Sequence, residues 1–213
     1  MGQGVPYDWM PLPMKNRSKR LSDPRIVAAK AFAETHDPDP AHAFQVSKNS
    51  LVLFDALRGL HGLGDRERVL LHAAALMHDT GYENRPFQHH KGSRDLILAS
   101  TLEGFSPKER VIIACVARYH RKAGPAPSHK VYCDLDEASR VVVNKLAALL
   151  RVADGLDRSH AESAESLKVM HARGTIRLKV RQRTPNPVDL ATGARKADLF
   201  EAVFGMKIEI TGA

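Results

Sequence analysis

The sequence predicts a mainly α-helical fold with a small α+β piece at its C-terminal end. Apolar residues recur at helical spacing in successive stretches between residues 24 and 158, and cap residues stand at the start of most of them. After His160 the texture changes to β-branched and apolar residues alternating with polar ones. With 213 residues, 43% of them hydrophobic, the chain can bury one sizeable core and carry a small appended unit. The division expected is a basic arm over 1–22, a helical domain over 23–162 and an α+β subdomain over 163–213.

The arm is rich in Pro, Gly and basic residues and includes KNRSKR at 15–20. A short helix from about Pro24 to Glu34 follows, with Asp23 as N-cap and Pro24 in its first turn. The DPDP of 37–40 interrupts the chain, and Asp39 caps a helix reaching to about Gly59. On that helix Ala43, Val46, Leu53 and Leu57 form the apolar stripe. Asp65 is read as the cap of RERVLLHAAALMHDT, a segment apolar nearly all round that runs to Gly81 and belongs in the middle of a bundle. Another helix is expected over Lys91 to Leu102. Ser106, Pro107 and Glu109 form a capping box for the next, and the last long helix covers about Glu137 to Arg158. Beyond it, SLKVMHARGTIRLKVRQR reads as two strands around a Gly turn, ARKADLFEAVFG as a helix and MKIEI as a final strand.

Composition narrows the function. No uninterrupted apolar run reaches about 18 residues, so no membrane span is expected. The opening MGQGVPYDWMPLP lacks the pattern of a secretory signal. Cys115 and Cys133 match no disulfide framework and are expected as buried free thiols in a reducing cytoplasm. The formal charge of +8 and pI near 9.7 favour an anionic partner, either a phosphorylated small molecule or nucleic acid. A homodimer is compatible with all of this.

Chemistry concentrates at AAALMHDTGY, residues 73–82. His78 and Asp79 stand near the end of a helix with no polar face to hold them. Burying such a group unpartnered costs ~2–7 kcal/mol when neutral and more when charged. A divalent cation satisfies both, as do a buried His-Asp hydrogen bond or a turn to solvent. His42 falls on the inward stripe of its helix, as a ligand or as a core histidine. Asp154 lies within the apolar LAALLRVADGL, as a ligand or paired with Arg151 or Arg158 along the helix.

The order His42, His78-Asp79, Asp154 on successive helices resembles the HD superfamily of metal-dependent phosphohydrolases. More narrowly, AAALMHDTGY, HHKGS, LEGFSPKERVIIACVARYHRKA and LAALLRVADGLDRSH resemble the C-terminal HD region of the exopolyphosphatase/guanosine pentaphosphatase family, over about residues 40–165. The resemblance implies an HD-type helical bundle binding one or two divalent ions (Mn, Mg, Fe, Ni or Zn). It implies His90 and His120 as further ligands, with His89 competing for the first place. The family often reads HHKHS where this chain has Gly92. The family's large actin-like phosphatase domain, to which the exopolyphosphatase chemistry belongs, does not fit within 213 residues.

A divalent ion held by such a set acidifies water for attack on phosphorus. The expected function is hydrolysis of a phosphate ester, of a nucleotide or a related phosphorylated small molecule, with Asp79 coordinating. Arg121 and Lys122 would neutralise the phosphate, or else satisfy the last helix carbonyls. Arg158 and His160 would line the mouth of the pocket. The alternative is a non-catalytic module that keeps the fold and metal but only binds polyphosphate or a nucleotide. RNA binding through TIRLKVRQR is disfavoured by the 6% aromatic content and the lack of stacking residues on that strand. His36, His61, His72, His129 and His171 read as structural or surface residues.

Overall fold

The computed structural model describes residues 23–213 apart from residue 173; the basic arm expected over 1–22 lies outside them. Helix α1 (Pro24–His36) starts where Asp23 accepts the Arg25 N–H, and α2 (Pro40–Ala56) where Asp39 accepts the His42 N–H. A short α3 (Arg58–His61) leads to α4 (Asp65–Leu76). After a 3₁₀ turn at Pro86–Gln88 come α5 (His89–Ala99), α6 (Pro107–Arg118), a short α7 (Lys130–Cys133) and α8 (Glu137–Gly155). The Ser106–Glu109 capping box forms as expected, with the Glu109 carboxylate accepting the Ser106 N–H. Asp65 is not a cap: Gly64 precedes the helix and Asp65 is its first residue.

Helix α4 is the hub, packed against α1, α2, α6 and α8, with Ala73 to Leu76 wholly buried. Helix α8 crosses α2, α6 and α4, and its residues Leu146 to Gly155 are buried in unbroken succession. Any polar residue in that stretch therefore needs a partner inside the molecule. Cys115 is buried, but Cys133 is exposed, a correction to the expectation of two buried thiols. On the short α7 it is the neighbouring Tyr132 that faces inward.

The C-terminal unit is a three-stranded sheet of order β1-β2-β3. β1 (Ala164–Ala172) pairs antiparallel with β2 (Thr175–Gln182), and β2 pairs parallel with β3 (Lys207–Gly212). The parallel return needs a crossover, which two helices supply: α9 (Pro187–Arg195) and α10 (Asp198–Phe204). Only one helix was expected here. The second is α9, opened by Asn186 as cap and Pro187 in its first turn.

This unit is locked onto α8. Gly155 and Gly193 meet so closely that a Cβ on Gly155 would lie 2.7 Å from the Gly193 Cα. Arg151, offered by sequence spacing as a partner for Asp154, instead reaches across to both carboxylate oxygens of Asp198, at 2.9 and 3.0 Å, and donates to the Lys122 carbonyl. Its side chain is buried while Asp198 is largely exposed. Asp198→Ala would strand a buried guanidinium, so urea unfolding is expected to show a loss of about 1–3 kcal/mol. An unchanged midpoint would deny the clamp its role.

Candidate metal centre

Helix α4 ends sooner than its sequence pattern suggests. Met77 closes it with its N–H on the Ala73 carbonyl, so His78 and Asp79 lie in the turn that follows. Two consecutive helical residues would diverge by about 100°. In the turn both side chains reach one polar centre.

Two donor groups converge there. His42, His78 and Asp154 form the first; Asp79, His89 and His120 form the second. The Asp154 Oδ1 lies 3.6 Å from His42 Nε2 and 4.0 Å from His78 Nε2. Asp79 spans the two groups. Its Oδ2 is 3.7 Å from His78 Nε2 and 4.0 Å from His42 Nε2, and its Oδ1 is 3.3 Å from His89 Nε2 and 3.4 Å from His120 Nε2.

The hydrogen bonds behind the rings determine what the inner nitrogens present. The Nδ1 atoms of His78, His89 and His120 donate to the carbonyls of Ala75, Pro86 and Ala117, at 2.8, 2.9 and 2.6 Å. A carbonyl only accepts, so each Nδ1 carries its proton and each Nε2 offers a lone pair to the centre. His42 Nδ1 is held in the same way by the buried Asp157 carboxylate at 2.9 Å. Backing of this kind by a carbonyl or carboxylate is the usual support of a metal-ligating histidine.

The centre fits a cation on this chemistry. His78 Nε2 and Asp79 Oδ1 are buried without a hydrogen-bond partner. The Nε2 atoms of His89 and His120 face one another at 3.3 Å, lone pair toward lone pair, an arrangement that a shared cation relieves. Burial holds His120 well below its ordinary pKa and lowers that of His89, keeping both in the neutral, ligating form. For Asp79 burial acts upward, but the surrounding histidines outweigh it and hold the carboxyl ionised. Asp154 behaves likewise, with Lys196 and His42 as the main opposing partners.

His42 gives a pH test. Burial pushes its pKa down, but the Asp154 and Asp157 carboxylates more than offset this and raise it to about 10 in the metal-free chain. A pKa raised on folding adds stability that is complete below about 6.5 and is lost as pH climbs through the folded value. A cation needs the same ring neutral. Metal uptake at pH 7.5 is therefore expected to release about one proton from His42, read by calorimetry in buffers of different ionisation enthalpy. Uptake with no proton release would remove His42 from the donor set.

Other expected residues fall into two places. Arg121 reaches the centre, its Nη1 2.9 Å from His89 Nε2. His160 lies over it, stacked on the His42 ring at 4.0 Å and held by Asp39 at 2.7 Å. His90 belongs to neither donor group; the structure brings His89 in its place, because α5 begins at His89 and the next residue points elsewhere. Lys122 lines a hollow beside His90 rather than the centre itself. Arg158 is exposed and has no ion pair among the described residues.

Three further residues escaped the sequence reading. Asp157 orients His42. Lys196, between α9 and α10, places its ammonium on the Asp154 Oδ2. Asp37, from the DPDP read only as punctuation, is buried with one carboxylate oxygen unpartnered.

A family model described as Ppx/GppA phosphatase, domain III, matches residues 25–192. The chain belongs to this family. The match takes in both donor groups and ends within the first helix of the C-terminal crossover. A curated relative is the guanosine-5'-triphosphate,3'-diphosphate pyrophosphatase of Pseudoalteromonas translucida (strain TAC 125), 30% identical over 159 residues. The alignment covers 71% of this chain and 29% of the relative, so the chain spans less than a third of that protein's length. Among the described residues of this family member, no helix is long and apolar enough to cross a membrane.

Proposed function

We propose that the chain is an HD-type, metal-dependent phosphohydrolase that cleaves a phosphate ester of a small molecule such as a nucleotide. The observation that carries this reading is the pair of donor groups that both face Asp79, with the Nε2 atoms of four histidines turned inward. His42, His78 and Asp154 would hold one divalent ion and His89 and His120 a second, with Asp79 between them. Mixed imidazole and carboxylate donors suit Mn²⁺, Fe²⁺, Ni²⁺ or Zn²⁺. Bound there, such an ion supplies acidified water and neutralises phosphoryl oxygens.

The chain's own residues do the rest. Arg121, already against His89, is placed to donate to the oxygens of the phosphoryl group. Asp157 holds His42 in one tautomer and orientation. Lys196 occupies the outer oxygen of Asp154, which leaves the inner oxygen facing His42 and His78. His160 shields the ring of His42 from solvent at the rim. Family membership and the activity for which the longer relative is named agree with a phosphorylated substrate.

The test is phosphate release from a panel of nucleotides and sugar phosphates, by protein stripped with chelator and then titrated with Mn²⁺. Release that saturates with metal is the expected result. Tight substrate binding with no release at any metal concentration would favour the non-catalytic binding module instead.

A further inference from the structure

Asp37 stands where a carboxylate is costly. It closes α1, with its N–H on the Ala33 carbonyl at 2.8 Å, and Pro38 after it holds its backbone extended at φ −103° and ψ 121°. A helix C-terminus disfavours an anion. The residue also continues the inward stripe of Ile26, Ala29 and Ala33, and is only 7% exposed. Its Oδ1 accepts the Asp39 N–H at 2.9 Å, whereas its Oδ2 is buried and meets no donor of the protein. Leaving such an oxygen unsatisfied costs about 1–3 kcal/mol, and more when it is charged. An apolar side chain would avoid all of these costs.

Its surroundings are those of the metal centre. The adjoining Asp39 holds the rim through both oxygens: Oδ1 accepts the His42 N–H at 3.2 Å, and Oδ2 pairs at 2.7 Å with His160, whose ring stacks on His42. Burial pushes the Asp37 carboxyl up and the Asp39 N–H draws it down. After these, the groups that act on it are His78, Asp79 and His42, all of them donors of the centre. Asp37 itself joins neither donor group. It is near enough to feel these donors through the buried interior, and too far to share a cation with them.

We propose that Asp37 is a catalytic residue of the hydrolysis: its free oxygen accepts a hydrogen bond from the attacking water and turns that water toward phosphorus. The inference rests on the phosphohydrolase reading. In the step it serves, the water oxygen bonds to phosphorus and the phosphoester P–O bond breaks, its electron pair leaving on the alcohol oxygen. One water proton stays with the phosphate and the other ends on that alcohol oxygen. Asp37 gains no proton overall and acts by direction.

The experiment compares Asp37→Asn with the wild type, both loaded with Mn²⁺. Asparagine keeps an acceptor for the Asp39 N–H and replaces the free oxygen by an amide nitrogen. Phosphate release should fall about tenfold to a hundredfold in kcat with KM unchanged, at equal Mn²⁺ content by elemental analysis. The Tm of the metal-free variant should match or exceed that of the wild type, because an unpartnered buried carboxylate is gone; a purely structural Asp37 gives the reverse. Fluoride binding, followed by calorimetry, reads the same oxygen without turnover. In the water's place fluoride has no proton to offer a carboxylate but accepts one from an amide, so the variant should bind it about fivefold tighter or more. If Asp37→Asn melts early, Asp37→Ser, whose hydroxyl still serves the Asp39 N–H, should show the same gain for fluoride. Unchanged kcat, unchanged fluoride affinity or loss of Mn²⁺ from the variant overturns the proposal and leaves the hydrolase reading intact. A wild type that holds Mn²⁺ but releases no phosphate from any substrate removes the hydrolase reading, and the proposal with it.

Discussion

Asp79→Ala is expected to strip the protein of bound metal and to lower phosphate release at least about a hundredfold. Wild-type protein loaded with Mn²⁺ or Zn²⁺ and desalted should carry about one to two ions per chain by elemental analysis, and the variant close to none. The effect is large because Asp79 faces both donor groups: one oxygen is near His42 and His78, the other near His89 and His120. His78→Ala removes a single donor from the first group and should lose metal strongly as well. Helical circular dichroism should persist in both, since the turn is tied down by its backbone rather than by these side chains: Gly81 N–H donates to Ser93 Oγ at 3.0 Å, and that hydroxyl donates to the His78 carbonyl at 2.6 Å. Metal content equal to wild type in Asp79→Ala would sink the bridging role and the hydrolase reading with it.

What the sequence could show of this centre depended on how local each cause is. His42 was readable because it falls on the inward stripe of a long helix, and Asp154 because it sits in a run apolar on every side; neither signal depends on where the helix ends are drawn. The choice between His89 and His90 did not survive them. One residue of helical rotation is about 100°, and the pattern placed the start of α5 at Lys91 rather than His89. Extending α4 through the His-Asp pair was the same kind of error, since the turn after Met77 is held by contacts with α5 that no local pattern records. Lys196 was invisible for another reason. It lies 42 residues from Asp154 and meets it only because the α+β unit docks on α8 through the glycines at 155 and 193. In α9, Gly193 and Thr192 dilute the helical period, although the Asn186-Pro187 start signal was there to be read.

Gly92, the departure from the family's usual HHKHS, points to the prediction with the largest effect on the fold. A Cβ on Gly92 would sit 2.9 Å from the Gly81 carbonyl oxygen, so the backbones of the His-Asp turn and of α5 are in direct contact. Gly81 is the tighter side: its added Cβ would fall 2.2 Å from the Ser93 nitrogen and 2.4 Å from the Gly92 carbonyl carbon. These are backbone atoms in the first turns of a helix, which cannot swing aside as a flexible side chain can. Gly81→Ala should therefore separate the two segments and cost about 3 kcal/mol or more, a fall in Tm of roughly 6–12 °C for a chain of this size. The same separation moves His78 and Asp79 away from His89, so metal affinity should drop at least about tenfold in whatever protein remains folded. Gly59→Ala is the control. It lies in α3 with open space where its Cβ would go, and should leave Tm level or slightly higher. A Gly81→Ala protein that melts with the wild type and holds its metal as firmly would show that the turn and α5 are not in the contact from which the whole centre is built.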